Sequence, residues 1–165
     1  MSGETLNDLF EEGLKEMYYV ENELVDVLDE LRTEVTHDDL RNAFEKHRSE
    51  TEEHITRLED VFDRIGESPE QKPVNALNGM VEDHQEFTDS DPDQDVLNLF
   101  DKAAAEKSEH FEIAAYGNLT FIASKLGHDE SADILERNLR EEQDALDELK
   151  SLSEQYDMES VPTQG

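Results

Sequence analysis

The sequence predicts an all-α domain: an antiparallel four-helix bundle with a short extra helix in the long crossover between its second and third long helices. Three observations carry this prediction. Over four long stretches apolar residues recur in alternating steps of three and four, the period of a helix with one buried face. Capping residues, glycines and prolines mark the breaks between those stretches. At 165 residues the chain is about one domain, long enough to bury a sizeable core. The domain is read as residues 1–155, followed by a flexible tail over 156–165.

The first helix starts at Thr5, with Asp8 three residues on, and presents the seam Phe10, Leu14, Met17, Glu21, Leu24, Leu28, Leu31. Only Glu21 interrupts it. A charge at such a position is costly unless it is paired, protonated or bound to a metal. Tyr18, one turn back, is placed to hydrogen-bond to it.

The second helix, capped by Thr36 and ending near Gly66, has the seam Phe44, His47, Thr51, His54, Leu58, Val61, Ile65, with Glu50 on its edge. The connection from the first helix is short, so the two are antiparallel neighbours. Glu21 lies 14 residues before Val35 and Glu50 lies 15 after it, which sets the two carboxylates at one level.

Residues 66–91 form the long connection, punctuated by Pro69 and Pro73 at its start and Asp91-Pro92 at its end. Within it Leu77, Met80, Val81, His84 and Phe87 predict a short amphipathic helix lying across the bundle, with His84 a surface or hinge residue. Asp91, Pro92 and Gln94 open the third long helix, which runs to about Leu126. Its broad face is read as Leu99, Ala103, His110, Ile113, Gly117 and Phe121, with Glu109 and Glu112 flanking His110. Asp129 caps the fourth, whose seam Ala132, Leu135, Leu139, Glu142, Leu146, Leu149, Leu152 again has one acid near its middle. A turn at Gly127-His128 puts Glu112 and Glu142 level.

Each long helix thus brings a carboxylate to its midpoint: Glu21, Glu50, Glu109 or Glu112, and Glu142, with His47, His54 and His110 nearby. Taken singly, each is better explained as an edge glutamate reaching water or a satisfied core histidine. Four helices placing acid at one height argue instead for metal. Converging carboxylates in a low-dielectric core cannot all stay ionised without cations, and two divalent ions would neutralise them. Oxygen and nitrogen donors without cysteine suit iron or manganese, and the absence of cysteine excludes disulfides and thiolate centres.

Composition narrows the function further. With 45 acidic against 14 basic residues the formal net charge is -31, a surface that repels nucleic acid and anionic lipid. The excess is read as adaptation to a salty cytoplasm, where a Debye length of about 3 Å at 1 M salt quiets self-repulsion. No apolar run of about 18 residues and no leader is visible, so the expected location is the cytoplasm, with no membrane partner.

Leu6-Asn-Asp-Leu-Phe10, Tyr18-Tyr-Val-Glu21, His47-Arg-Ser-Glu50-Thr51, Glu109-His110-Phe-Glu112-Ile-Ala-Ala-Tyr116-Gly117 and Glu141-Glu142 resemble the YciF-type ferritin-like stress proteins, the YciE/YciF ferroxidase-like family. The Glu-His-aromatic-Glu-Ile-Ala-x-Tyr-Gly block is the most specific, and the likeness spans residue 5 to about 152. It implies a ferritin-like bundle, a homodimer, two iron ions with manganese as the alternative, and a ferroxidase- or peroxidase-type reaction with O2 or H2O2. Glu21, Glu50, Glu109 or Glu112, and Glu142 take the carboxylate roles by that resemblance, with His54, His47 and His110 as nitrogen donors. Tyr18 and Tyr116 would support them.

The chain departs from the general di-iron pattern in having no Glu-x-x-His at a helix midpoint, since Glu34-Val-Thr-His37 falls at the turn between the first two helices: Ala145 stands three residues after Glu142, leaving one position short of a nitrogen unless His110 supplies it. The competing expectation, from a different class, is a metal-poor helical scaffold without catalysis.

Overall fold

The Thr5 cap is real: its hydroxyl accepts from the Asp8 backbone N–H while the Asp8 carboxylate accepts from that of Thr5, so two otherwise unpaired donors are satisfied reciprocally. From there the computed structural model, which describes residues 3–165, is helical almost throughout. Met1 and Ser2, part of the expected 1–155 domain, lie outside the described residues. The elements are α1 (Leu6–Glu34), α2 (Asp38–Ile65), α3 (Asn75–Asp89), α4 (Gln94–Lys125), α5 (Asp129–Gln155) and a short 3-10 turn (Met158–Ser160).

Helices α1 and α2 form one antiparallel hairpin, α4 and α5 the other, and α2 packs on α5 as α1 packs on α4. Gly66 and Gly127 end α2 and α4 in the left-handed conformation, each with φ of 78°, which a side chain would strain. Three caps differ from expectation by one or two residues. His37 rather than Thr36 precedes α2, His128 rather than Asp129 precedes α5, and Asp93 rather than Asp91 caps α4 through the amides of Asp95 and Val96. Asp91 instead turns the chain, with φ of 54°.

The crossover runs along α1, where the Lys72 amide donates to the Lys15 carbonyl at 3.0 Å and Lys15 pairs with Glu70. It then lays α3 on α4 and α1. Leu77 is buried there, and the Tyr19 hydroxyl donates to Asn78 at 2.6 Å.

The seams of α1, α2 and α5 point inward largely as their periodicity requires, but α4 is rotated from its expected face. Its buried residues are Leu97, Asn98, Asp101, Lys102, Ala105, Glu109, Glu112, Tyr116, Leu119, Ile122 and Ala123, while Phe121 is 59% exposed and His110 faces solvent. The reason is physical. The inward face of α4 holds acids, an asparagine and a lysine, so its apolar residues no longer mark the buried side.

The core is in two parts. Phe10, Leu14, Met17, Val20, Leu58, Phe62, Leu119 and Leu135 belong to one apolar cluster, and Leu28, Leu31, Leu40, Phe44, Leu149 and Leu152 to the other. A polar layer lies between them. The packed structure also passes the expected boundary at residue 155. Tyr156 is buried, stacks on His37 with centroids 5.0 Å apart, and donates its hydroxyl proton to Asp95 at 2.9 Å. Tyr156→Ala should therefore cost about 3 kcal/mol in urea unfolding, the penalty of an aromatic cavity and not of a frayed end.

Candidate metal centre

The polar layer is built from α1, α2, α4 and α5: α1 and α5 supply one residue each, α2 two residues two turns apart, and α4 two residues one turn apart. Glu21, His47, His54, Glu109, Glu112 and Glu142 are all buried. They fall into two groups in which one donor atom per residue lies within 4.8 Å of every other: His47, Glu109, Glu112 and Glu142, and Glu21, His54 and Glu142. Glu142 belongs to both.

His54 is held by three carboxylates. Its Nδ1 lies 2.9 Å from Glu142 and 3.2 Å from Glu21, while Nε2 lies 2.8 Å from Glu141. Arg57 pairs with Glu141 and also donates to Asn138 at 2.9 Å, so the outer carboxylate is anchored from behind. One ring nitrogen therefore faces the cluster while the other is fixed by an acid outside it, the arrangement that orients ligating histidines. His47 offers Nε2 to Glu109 at 2.7 Å and to Glu142 at 3.5 Å. Behind it, Glu50 stands 3.7 Å from Nδ1.

The expected donors divide accordingly. Glu21, His47, His54, Glu109, Glu112 and Glu142 come together. Glu50 stays on the half-buried edge of α2, outside both groups, because the hairpin register sets Glu21 opposite His54 and not opposite Glu50. His110 is not brought in at all, since Glu109 and Glu112 occupy the inward face of α4 on either side of it. The missing nitrogen comes from α2, which places His47 in one group and His54 in the other. Ala145 lines a small cavity with His47 and Glu109, so the short side chain on α5 leaves room for the imidazole arriving from α2.

Tyr116 donates its hydroxyl proton to Glu21 and accepts one from Asn138 at 3.3 Å. Tyr18, expected beside Glu21, instead donates to Glu59 at 2.9 Å near the surface. The supporting trio Glu141, Arg57 and Asn138 escaped the sequence reading. Its signal was local: Arg57 follows His54 by three residues, and Glu141 adjoins Glu142.

Burial and mutual repulsion set the charge of the layer. Burial, then Glu109, pushes the Glu142 carboxyl up to about 8, and burial with Glu142 and Glu21 raises Glu112 well above the carboxylate range. Burial opposes charge on His54, but hydrogen bonds to Glu142 and Glu21 outweigh it and raise the imidazole to about 11. His47 is raised well above its ordinary value against the same opposition, by Glu109 and Glu142. Burial would also lift Glu141, yet Arg57 and His54 hold it below the ordinary value. Without metal the layer therefore holds protons on His47, His54, Glu112 and Glu142 near neutral pH. Glu21, Glu109 and Glu112 each still present an Oε2 that is buried without a hydrogen-bond partner. Such oxygens are costly in a dry layer and suited to coordinating a cation, so the residues present fit a divalent metal.

Helices, register and donor set together define a ferritin-like four-helix bundle with a buried histidine–carboxylate centre able to hold metal. The chain belongs to the family described as Domain of unknown function (DUF892), whose model matches residues 5–160. It is 32% identical over 143 residues to Protein YciF of Escherichia coli (strain K12), covering 86% of each chain. The crystal structure of that E. coli stress protein superposes with a TM-score of 0.86 at 31% identity, covering 90% of this chain and 94% of the other. YcfI of Rhodopseudomonas palustris, for which a structural role has been named, gives a TM-score of 0.88 at 33% identity over 92% and 98%. A protein of Xanthomonas campestris shares the fold at 20% identity, with a TM-score of 0.75. Among the described residues no helix is long and apolar enough to cross a membrane.

The raised values fix the sign of the pH dependence without metal. The stabilisation from protonated Glu142 is complete below its ordinary 4.5 and is lost as pH rises through about 8. That from His54 is complete below 6.5 and is lost as pH rises through about 11. Metal-free protein should therefore lose on the order of 5 kcal/mol between about pH 6 and pH 9 in denaturant titrations at fixed salt. Glu112→Gln, which replaces an acid that must take up a proton on folding by an amide that need not, should raise metal-free stability near pH 7 and change it little near pH 4.

Proposed function

We propose that the protein is a dinuclear iron carboxylate protein that consumes ferrous iron with O2 or H2O2, a ferroxidase- or peroxidase-type oxidoreductase in oxidative-stress protection. The observation that carries this reading is the sharing of Glu142 by two buried histidine–carboxylate groups. One metal would be held by His47, Glu109, Glu112 and Glu142, the other by Glu21, His54 and Glu142. Iron suits this donor set, with manganese as the alternative. When bound, the pair supplies the one-electron changes that couple ferrous oxidation to reduction of O2 or peroxide.

The chain's own residues manage charge and position. Four acids face two divalent cations, so the loaded layer is neutral with both imidazoles uncharged. The unloaded layer reaches a similar balance through the protons on His47, His54, Glu112 and Glu142. Loading therefore exchanges protons for cations at nearly constant charge. Glu141 keeps the His54 Nε2 proton outside the cluster, Tyr116 holds Glu21, and the apolar clusters on both sides exclude bulk water.

The same reading carries a cytoplasmic homodimer and not a hollow cage, in a cell of high internal salt. Exposed Leu9 on α1 and Phe121 on α4 support a contact between copies. They lie at one end of the bundle, where a Cβ on Gly13 would come within 2.8 Å of Leu119. The -31 charge supports the saline setting.

A second reading, a scaffold without catalysis, is favoured by one observation: His54 bridges Glu21, Glu142 and Glu141, so the layer closes without metal. Elemental analysis separates the two. Below about a tenth of an equivalent of transition metal, with melting unchanged on adding Fe or Mn, the scaffold stands.

Metal-free protein given Fe(II) without oxygen should bind about two ions per chain and release about four protons near pH 7, read by dye in weak buffer. Admitting air should then give a ferric absorbance that saturates at the same ratio. Glu142→Gln, which removes the shared carboxylate, should abolish both the second equivalent and the oxidation. Oxidation no faster than in buffer would remove the ferroxidase assignment.

A further inference from the structure

A second kind of polar cluster lies at the other end of α1, away from the layer. His84 Nε2 on α3 is 2.8 Å from Asp101 on α4 and 3.2 Å from Glu34 at the end of α1. Donor atoms of all three lie within 4.8 Å of one another. Glu34 is thirteen residues beyond Glu21, about 20 Å along α1, and Asp101 is eight before Glu109, about 12 Å along α4, so the two groups share no residue.

Three further features separate it from a surface ion pair. Asp101 is 0% exposed, and its Oδ2 has no hydrogen-bond partner. Lys102, the adjacent cation, does not neutralise it, because its ammonium is given to Glu106 at 2.7 Å. His84 is fixed in place by stacking on Phe100, with centroids 5.9 Å apart, and Phe100 stacks on Phe87 at 3.9 Å. A cavity of about 80 Å³ between α1, α3 and α4 opens beside the imidazole, with Glu30 and Asp83 on its wall. The imidazole can therefore be reached through a mostly apolar cavity, which also carries Lys107 and the layer's His47 and Glu109.

We propose that Glu34, His84 and Asp101 form a further divalent-cation site that fastens the crossover helix to α1 and α4. One nitrogen and two carboxylates leave open positions for water and suit a first-row transition ion such as Zn(II) or Mn(II) more than Ca(II) or Mg(II). The bound ion would satisfy the buried Asp101 Oδ2 and offset two carboxylates that repel each other. Burial, then Asp101, holds the Glu34 carboxyl above its ordinary value, as expected for a pair that needs a cation.

Zn(II) is the probe, and the wild-type chain is read first by its histidine side-chain resonances. Added Zn(II) should shift the His84 ring signals in wild type and in Glu142→Gln alike, which keeps this site distinct from the central layer. Asp101→Asn, close in shape, and His84→Gln should each bind one equivalent fewer in equilibrium dialysis while leaving the equivalents at the layer unchanged. Amide exchange in α3 should slow at least tenfold with Zn(II) in wild type and not in Asp101→Asn. His84 signals unmoved by Zn(II), or an unchanged number of equivalents in both variants, would overturn the proposal and leave a buried ion pair.

Discussion

The structure depends on a layer of buried acid and imidazole that must stay near neutral. Four carboxylates meet between two apolar clusters, and no arrangement of four bare anions is tolerable there. The protein answers with two histidines from one helix and with protons. Because His47 and His54 lie seven residues apart, they stand two turns apart on one side of α2 and reach the two halves of the layer separately. Glu142, between them, is the residue through which both halves are coupled, electrostatically and through shared contacts.

The surroundings of the layer are as specific as the layer itself. Glu141 is kept ionised by Arg57 and can thereby accept from His54 at all times, whatever the inner carboxylates do. Tyr116 and Asn138 perform the corresponding service for Glu21. A ligand set held this way loses little freedom on meeting a cation, since its rotamers are already fixed by packing and hydrogen bonds. Meanwhile the outer surface carries a large negative excess that is paired in part within helices, as at Arg41–Asp38 and Arg140–Glu136. Exposed pairs of that kind add little stability, so the fold rests on the two apolar clusters and on the balance of charge between them.

Much of this was legible in the sequence, and the misreading of α4 has a single cause. Seams with a single acid, as in α1 and α5, show their buried face plainly because the remaining positions are apolar. Helix α4 hides its face because Asp101, Lys102, Glu109 and Glu112 all point inward, and a method that counts apolar residues then selects the wrong side. His110 was drawn in for that reason. Level arguments worked within a turn: Glu112 and Glu142 do meet, but Glu21 faces His54 and leaves Glu50 at the edge. Hairpin register depends on how tightly three connecting residues turn, which spacing alone does not encode. The docking of Tyr156 also depends on a distant pocket made by His37, Asp95 and Asn98, invisible to any local pattern.

The layer also dictates alignment. Apolar seams are permissive: a Leu-lined helix slid by seven residues past its neighbour still meets Leu. In this bundle such a slide of α2 would leave a single imidazole in the layer and bring Leu40 or Val61 against the carboxylates, with one cation fewer to balance them. The polar layer thus acts as a key that admits one axial position for each helix, much as a single buried asparagine fixes the register of a coiled coil. That specificity would persist in a chain that had lost every metal ion, and it gives the buried acids a reason to be retained that does not depend on chemistry at all.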